Sequence, residues 1–89
     1  MLRKEKVIKV VDGDTFFTDR RKHPVRLANV DTPEKRQPGY AEAKKALECL
    51  ISGQEVTVDT QARDVYNRAI AKVKVGAKSV NAAMQKYQK

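Results

Sequence analysis

Apolar and β-branched residues fill "KVIKVV" (residues 6–11), break at Asp12-Gly13-Asp14 and resume through Thr15, Phe16 and Phe17. That pattern predicts a strand, a tight turn or bulge, and a second strand in which one of the two phenylalanines faces outward. "TDRRKHP" is polar and ends in Pro24, so it reads as a hairpin connection into a third strand, "VRLANV" (25–30). Tyr40, Ala43, Leu47, Leu50 and Ile51 then recur at helical spacing up to Gly53, the stripe of an amphipathic helix. "EVTVDT" (55–60) alternates with period two, a polar loop follows, and "AIAKVKV" (69–75) alternates again before Gly76. Ser79 is placed to cap a second helix over "VNAAMQKYQK", where Val80, Ala83, Met84 and Tyr87 share one face.

The predicted order is βββαββα, mainly β with two helices. Five strands with one helix after the third is the pattern of a small oligonucleotide/oligosaccharide-binding (OB) barrel, which closes its sheet to limit exposed edges. The 89 residues make a single domain, 1–89, without internal repeat, low-complexity segment or linker. A chain this short buries only about 60–65% of the surface that its unfolded form exposes, so the core must be thin.

Charge changes the picture. Nineteen Lys and Arg face 11 Asp and Glu, a formal net charge of +8, which favours polyanionic partners and nucleic acid first, because neutralised phosphates release counterions. The "RRK" run at 20–22 fits that charge either as a solvated turn or as a phosphate track, with the solvated turn favoured. Cys49 is the only cysteine, which excludes an internal disulfide and a cysteine-rich zinc module, and its helical position predicts a semi-buried thiol. His23, with no second histidine or cysteine cluster, reads as a solvated loop residue. No apolar run approaches the ~20 residues of a membrane span, and the N-terminus has no apolar signal core. The expectation is a soluble protein, monomeric or weakly self-associating, cytoplasmic as the chain stands and secreted if a signal has been removed.

Despite the basic surplus, acids gather in three short segments: "VDGDT" (11–15), "VDTPE" (30–34) and "RDVYNR" (63–68). Each has a plain local reading as a turn or cap. Together they supply what cutting a phosphodiester requires. A hard divalent cation takes carboxylate and carbonyl oxygens, one side chain positions the attacking water, and guanidinium groups stabilise charge growing on the phosphoryl oxygens. Asp14, Asp31, Thr32, Glu34, Arg26 and Arg68 contain every part. Arginine suits the last task because its planar fork donates two hydrogen bonds to one phosphate.

"VVDGDTF", "VRLANVDTPE", "RDVYNRAIAKVKV" and "SVNAAM", in that order over nearly the whole chain, resemble the staphylococcal nuclease (thermonuclease-like) family. The resemblance implies a five-stranded OB barrel and Ca²⁺-dependent hydrolysis of DNA and RNA to products with 3′-phosphate ends. It implies Asp14, Asp31 and the Thr32 carbonyl as metal ligands, Glu34 as general base, and Arg26 and Arg68 as phosphate clamps. Tyr66 is implied as a substrate-phosphate contact, and Asp12 and Asp64 as supports behind these groups. Oxygen donors of this kind also accept Mg²⁺ or Mn²⁺.

The chain departs from the family in four places. Asn67 stands where the family has glycine, and asparagine tolerates positive φ, so the turn is expected to survive. Val65 replaces a lysine, and only "KRQPG" separates Glu34 from the first helix. The chain also stops at "KYQK", before the family's third helix with its further substrate-binding tyrosine, which predicts a more loosely held site. The resulting expectation is a sugar-nonspecific nuclease acting by metal-assisted attack of water on single-stranded or melted DNA and RNA. Its alternatives are a catalytically weak or inactive OB-fold nucleic-acid-binding module and a protein-interaction module with an acidic partner. Concentrated acids where phosphates lie favour the enzyme.

Overall fold

A computed structural model describes residues 4–88. Strands β1 (Lys4–Asp12), β2 (Thr15–Thr18) and β3 (Val25–Leu27) open the chain, and helix α1 (Tyr40–Ile51) follows. Strands β4 (Glu55–Arg63), β5 (Ala69–Val75) and β6 (Lys78–Ser79) lead into α2 (Val80–Met84) and a 3-10 turn, Gln85–Tyr87. The sheet runs β3-β2-β1-β4-β5-β6, and a parallel pairing of β3 with β5, Val25 opposite Ala69 and Leu27 opposite Ala71, closes the first five strands into a ring. This is the five-stranded barrel expected from the sequence.

Bulges make the closure possible. The β1–β2 register shifts between Val7 and Lys9 and again between Val10 and Asp12, and the β4–β5 register shifts between Thr60 and Ala62. An extra residue bends a strand and reverses the alternation beyond it. Val7 and Val10, an odd three residues apart, therefore both point into the core. There they join Phe16, Leu27, Leu47 and Ile51, all fully buried, while Phe17 takes the outward position.

Several expectations need correction. The third strand ends at Leu27 rather than running through "ANV", because Asn29 adopts φ 60° and turns the chain. The fourth strand continues through Gln61, the bulged residue, to Ala62 and Arg63, which pair with Ile70 and Ala69 of β5 although the polarity of this stretch suggests a loop. β6 adds a strand to the expected five; its two residues carry no periodicity. The second helix is α-helical only to Met84 before tightening into the 3-10 turn, and Lys89 of that expectation lies outside the described residues. Ser79 does cap it, its hydroxyl accepting from the Ala82 N–H. Cys49 is exposed rather than semi-buried.

Asn81 ties the second helix to the ring. Its amide donates to the carbonyls of Ala28 and Ala71 at 2.9 and 3.0 Å, and its Oδ1 accepts from the Val73 N–H at 2.8 Å. No helix among the described residues is long and apolar enough to cross a membrane.

Candidate active site

The β1–β2 turn carries Asp12 and Asp14, and its geometry follows from Gly13. A Cβ there would come within 2.7 Å of the Ala43 Cβ and 2.8 Å of the Thr32 Oγ1, so only glycine lets the turn lie between α1 and the chain after β3. Asp14 is buried with both carboxylate oxygens engaged: Oδ1 accepts from the Thr15 hydroxyl at 2.8 Å and Oδ2 from the Thr32 N–H at 3.2 Å. The Thr32 hydroxyl is itself buried without a hydrogen-bond partner among the described residues.

Arg26, on β3, stands between two acids. Its Nη2 lies 3.6 Å from Asp14 Oδ2 and 3.6 Å from Asp31 Oδ1, while Nη1 donates to the Leu27 carbonyl. Asp31 is largely exposed, and its backbone N–H donates to the Gln88 side chain at 3.3 Å. One cationic nitrogen thus sits equidistant from a buried and an exposed carboxylate. Among the described residues, no three His, Cys, Asp or Glu side chains converge as a metal cluster. The donors that meet at this point are the carboxylate oxygens of Asp14 and Asp31, the chemistry of a hard cation. The two carboxylates already share a positive charge, so the residues fit such an ion.

Asp12 Oδ1 accepts from the Asp14 N–H at 3.1 Å. Burial, together with the hydrogen bond and negative charge of Asp14, pushes the Asp12 carboxyl up to about 6. Burial also acts upward on Asp14, but hydrogen bonds from Asp12, Thr15 and the Thr32 N–H and the charge of Arg26 outweigh it and lower that carboxyl. The pair divides its roles: Asp12 holds the proton longer, and Asp14 stays ionised toward Arg26.

Arg68 approaches from the β4–β5 turn. The parallel register sets Arg26 opposite Ile70, two residues beyond Arg68, which immediately precedes β5. Asp64 organises the turn: Oδ1 accepts from the N–H groups of Tyr66 and Arg68, and Oδ2 accepts from Arg68 Nε at 2.6 Å. Desolvation raises the Asp64 carboxyl, but these donors outweigh it and hold it below the ordinary value. Asn67 adopts φ 64°, as its glycine-like place requires. Tyr66 is exposed, with the Arg68 guanidinium 5.5 Å from its ring centre. Glu34 is also exposed; its N–H donates to Gln37 Oε1 at 2.7 Å, and its carboxylate makes no hydrogen bond or ion pair among the described residues.

The residue pattern of the staphylococcal nuclease homologues matches residues 24–87. The chain belongs to the staphylococcal nuclease family. It is 33% identical over 91 residues to the thermonuclease of Staphylococcus hyicus, covering 91% of this chain and 54% of that protein. It is 35% identical over 89 residues to protein ParB of Escherichia coli, covering 88% of this chain and 50% of ParB. An uncharacterised endonuclease of Escherichia coli O157:H7 is 36% identical over 70 residues, 76% of this chain and 46% of its own length. The chain spans about half the length of the curated relatives it matches.

Within this family member, Asp14, Arg26 and Asp31 meet directly, Asp12 and Thr32 attach to Asp14, and Asp64, Tyr66 and Arg68 form one turn. Among the described residues, no hydrogen bond or ion pair of its carboxylate ties Glu34 to the rest. Sequence reasoning missed Gly13, Thr15, Gln37 and Gln88. Thr15 was visible as the hydroxyl following Asp14, Gly13 as the middle of the turn and Gln37 as a polar residue three past Glu34; Gln88 reaches Asp31 across 57 residues, which leaves no local signal.

Proposed function

We propose that the chain carries the phosphodiesterase centre of a Ca²⁺-dependent nuclease acting on single-stranded or melted DNA and RNA without regard to the sugar. Family membership supports a nuclease-type function, and the observation that carries the finer reading is Arg26 Nη2 at 3.6 Å from both Asp14 and Asp31. Carboxylates serve a polyanion-cutting site when a cation separates them from the phosphate, and Arg26 keeps a guanidinium at that boundary.

Asp14, Asp31 and the Thr32 carbonyl would hold the ion. When bound, it would polarise a phosphoryl oxygen and lower the pKa of a coordinated water. Arg26 and Arg68 bind the remaining phosphoryl oxygens and stabilise the negative charge that grows on them, each aimed by its own carboxylate partner. The Glu34 carboxylate accepts a proton from the attacking water. Water oxygen bonds to phosphorus, the P–O5′ bond breaks, the 5′ oxygen takes its proton from solvent water while the Glu34 carboxyl returns its own to solvent, and the 3′ oxygen retains the phosphate. Tyr66, beside Arg68 and exposed, presents its hydroxyl to a neighbouring phosphate. The same oxygens accept Mg²⁺ or Mn²⁺, and geometry at the phosphate decides which ion supports turnover.

The test is cleavage of heat-denatured DNA with Ca²⁺ or with excess chelator, alongside Glu34→Gln and Arg68→Ala. Cleavage that needs Ca²⁺ and falls about 10²–10⁴-fold in Glu34→Gln and about 10²–10³-fold in Arg68→Ala is expected. A folded wild type that binds DNA but does not cut it would sink the enzyme reading in favour of a binding module.

A further inference from the structure

Away from the acid pair, Arg20, Arg21, Lys22, His23, Arg63 and Glu5 line a cleft of about 460 Å³. Glu5 is buried and committed: its two carboxylate oxygens accept from Arg21 Nε at 2.8 Å and Nη2 at 2.9 Å, and Oε1 also accepts from the Thr18 hydroxyl. The "RRK" turn is thereby anchored through Arg21. Among the described residues no carboxylate pairs with Arg20, Lys22 or Arg63. Asp19, the other acid near this turn, is exposed and accepts from the Lys6 N–H rather than lining the cleft.

The cleft adjoins the catalytic face. Arg63 pairs with Ala69, the residue after Arg68, and its Nη1 donates to the Asn67 carbonyl at 3.2 Å, bracing the turn that carries Tyr66 and Arg68. From the other side, the Ala69 N–H donates to the Pro24 carbonyl, where the "RRKH" turn enters β3. The turn that carries Arg68 therefore borders, through Arg63, a concave surface with four cationic side chains and one neutralised acid.

We propose that this cleft is an accessory phosphate subsite, which takes backbone phosphates of the same single strand beyond the nucleotides at the acid pair. The inference rests on the polynucleotide reading above but not on turnover. Its chemistry is nonspecific: guanidinium and ammonium groups meeting phosphate oxygens, with no donor arrangement to read a base. Strands long enough to leave the acid pair and cross the Arg63 wall reach these cations; shorter ones do not.

The test measures binding of a fluorescent 16-nucleotide and a 3-nucleotide single strand in excess chelator over a range of salt. Wild type is compared with Arg20→Ala/Lys22→Ala, which leaves the Arg21–Glu5 anchor intact, and with Lys44→Ala/Lys45→Ala, which removes equal charge from α1. Every single-strand phosphate that a cation ceases to neutralise lowers the slope of log affinity against log salt by about 0.7, so the cleft variant should fall by about 1.4 with the long strand. At ~0.1 M salt that corresponds to an affinity loss of about 10- to 30-fold, with a much smaller loss for the short strand. The α1 variant should stay close to wild type on both.

An unchanged long-strand slope in the cleft variant, an equal fall in both variants, an equal loss on the short strand, or no binding by the wild type would each overturn the proposal. Because this assay contains no metal and reads no cleavage, the two proposals fail separately. A cleft-dependent binder that never cuts sinks only the nuclease, and an active nuclease whose binding ignores the cleft sinks only the subsite.

Discussion

Two aspartates two positions apart follow different chemistry because their neighbours differ. Asp14 receives two hydrogen bonds and faces Arg26; Asp12 receives one and faces Asp14. With the Asp12 carboxyl at about 6 in the fold and near its ordinary 3.8 when unfolded, the folded state binds the extra proton more tightly. The stabilising effect is complete below pH ~3.8 and is lost as pH rises through ~6, so Asp12 opposes folding at neutral pH. Asp12→Asn, which keeps an acceptor for the Asp14 N–H, should therefore stabilise the protein by about 2 kcal/mol at pH 7.5 and by nearly nothing at pH 4. Urea unfolding in chelator at the two pH values measures this; a gain of equal size at both would contradict it. In "DGD" the acids and turn are legible, but which acid keeps its proton is not. That depends on Thr15, Thr32 and Arg26, and two of those three come from β3 and the chain beyond it.

The β4–β5 turn behaves as one element built on a single carboxylate. Asp64 receives the N–H groups of Tyr66 and Arg68 and the Arg68 Nε, while Arg63 and Asn67 close the turn from its flanks. Removing that carboxylate leaves Arg68 chemically intact but no longer aimed, and positioning errors of about 1 Å cost about 100-fold in rate. Asp64→Ala should lower kcat by roughly that factor with a small change in KM, while the barrel's far-UV circular dichroism stays native. A drop in KM-related binding without a kcat change would instead assign Asp64 to substrate contact. Strands and helices of this chain were legible wherever period two or the helical stripe ran for five residues or more. The misses were β6 with two residues, the end of β3, where Asn29 leaves extended geometry, the polar end of β4, and the tightening of the second helix after Met84.

At the scale of the whole molecule, ring closure depends on contacts far apart in sequence. Asn81 satisfies three backbone groups on β5 and the chain just after β3 from the second helix, across separations of 8, 10 and 53 residues. Truncating it takes this partner from the Val73 N–H and the Ala28 carbonyl, while the Ala71 carbonyl keeps the Ala28 N–H at 2.8 Å; at about 1 to 3 kcal/mol for each group left unpaired, Asn81→Ala should cost about 3 kcal/mol, read as a lower urea midpoint at unchanged slope. A loss below about 1 kcal/mol would mean that water replaces the amide. Local periodicity, turn residues and charge determined the first five strands, the two helices between and after them and the barrel class, and nominated residues for phosphodiester chemistry, because those signals lie within a few positions of one another. Tertiary structure alone decided that Arg26 stands between Asp14 and Asp31, that Gly13 lets Asp14 reach Thr32, and that Arg63 joins the "RRK" turn to Arg68. These are meetings of segments whose separation along the chain carries no imprint of where the bulged, closed sheet brings them together.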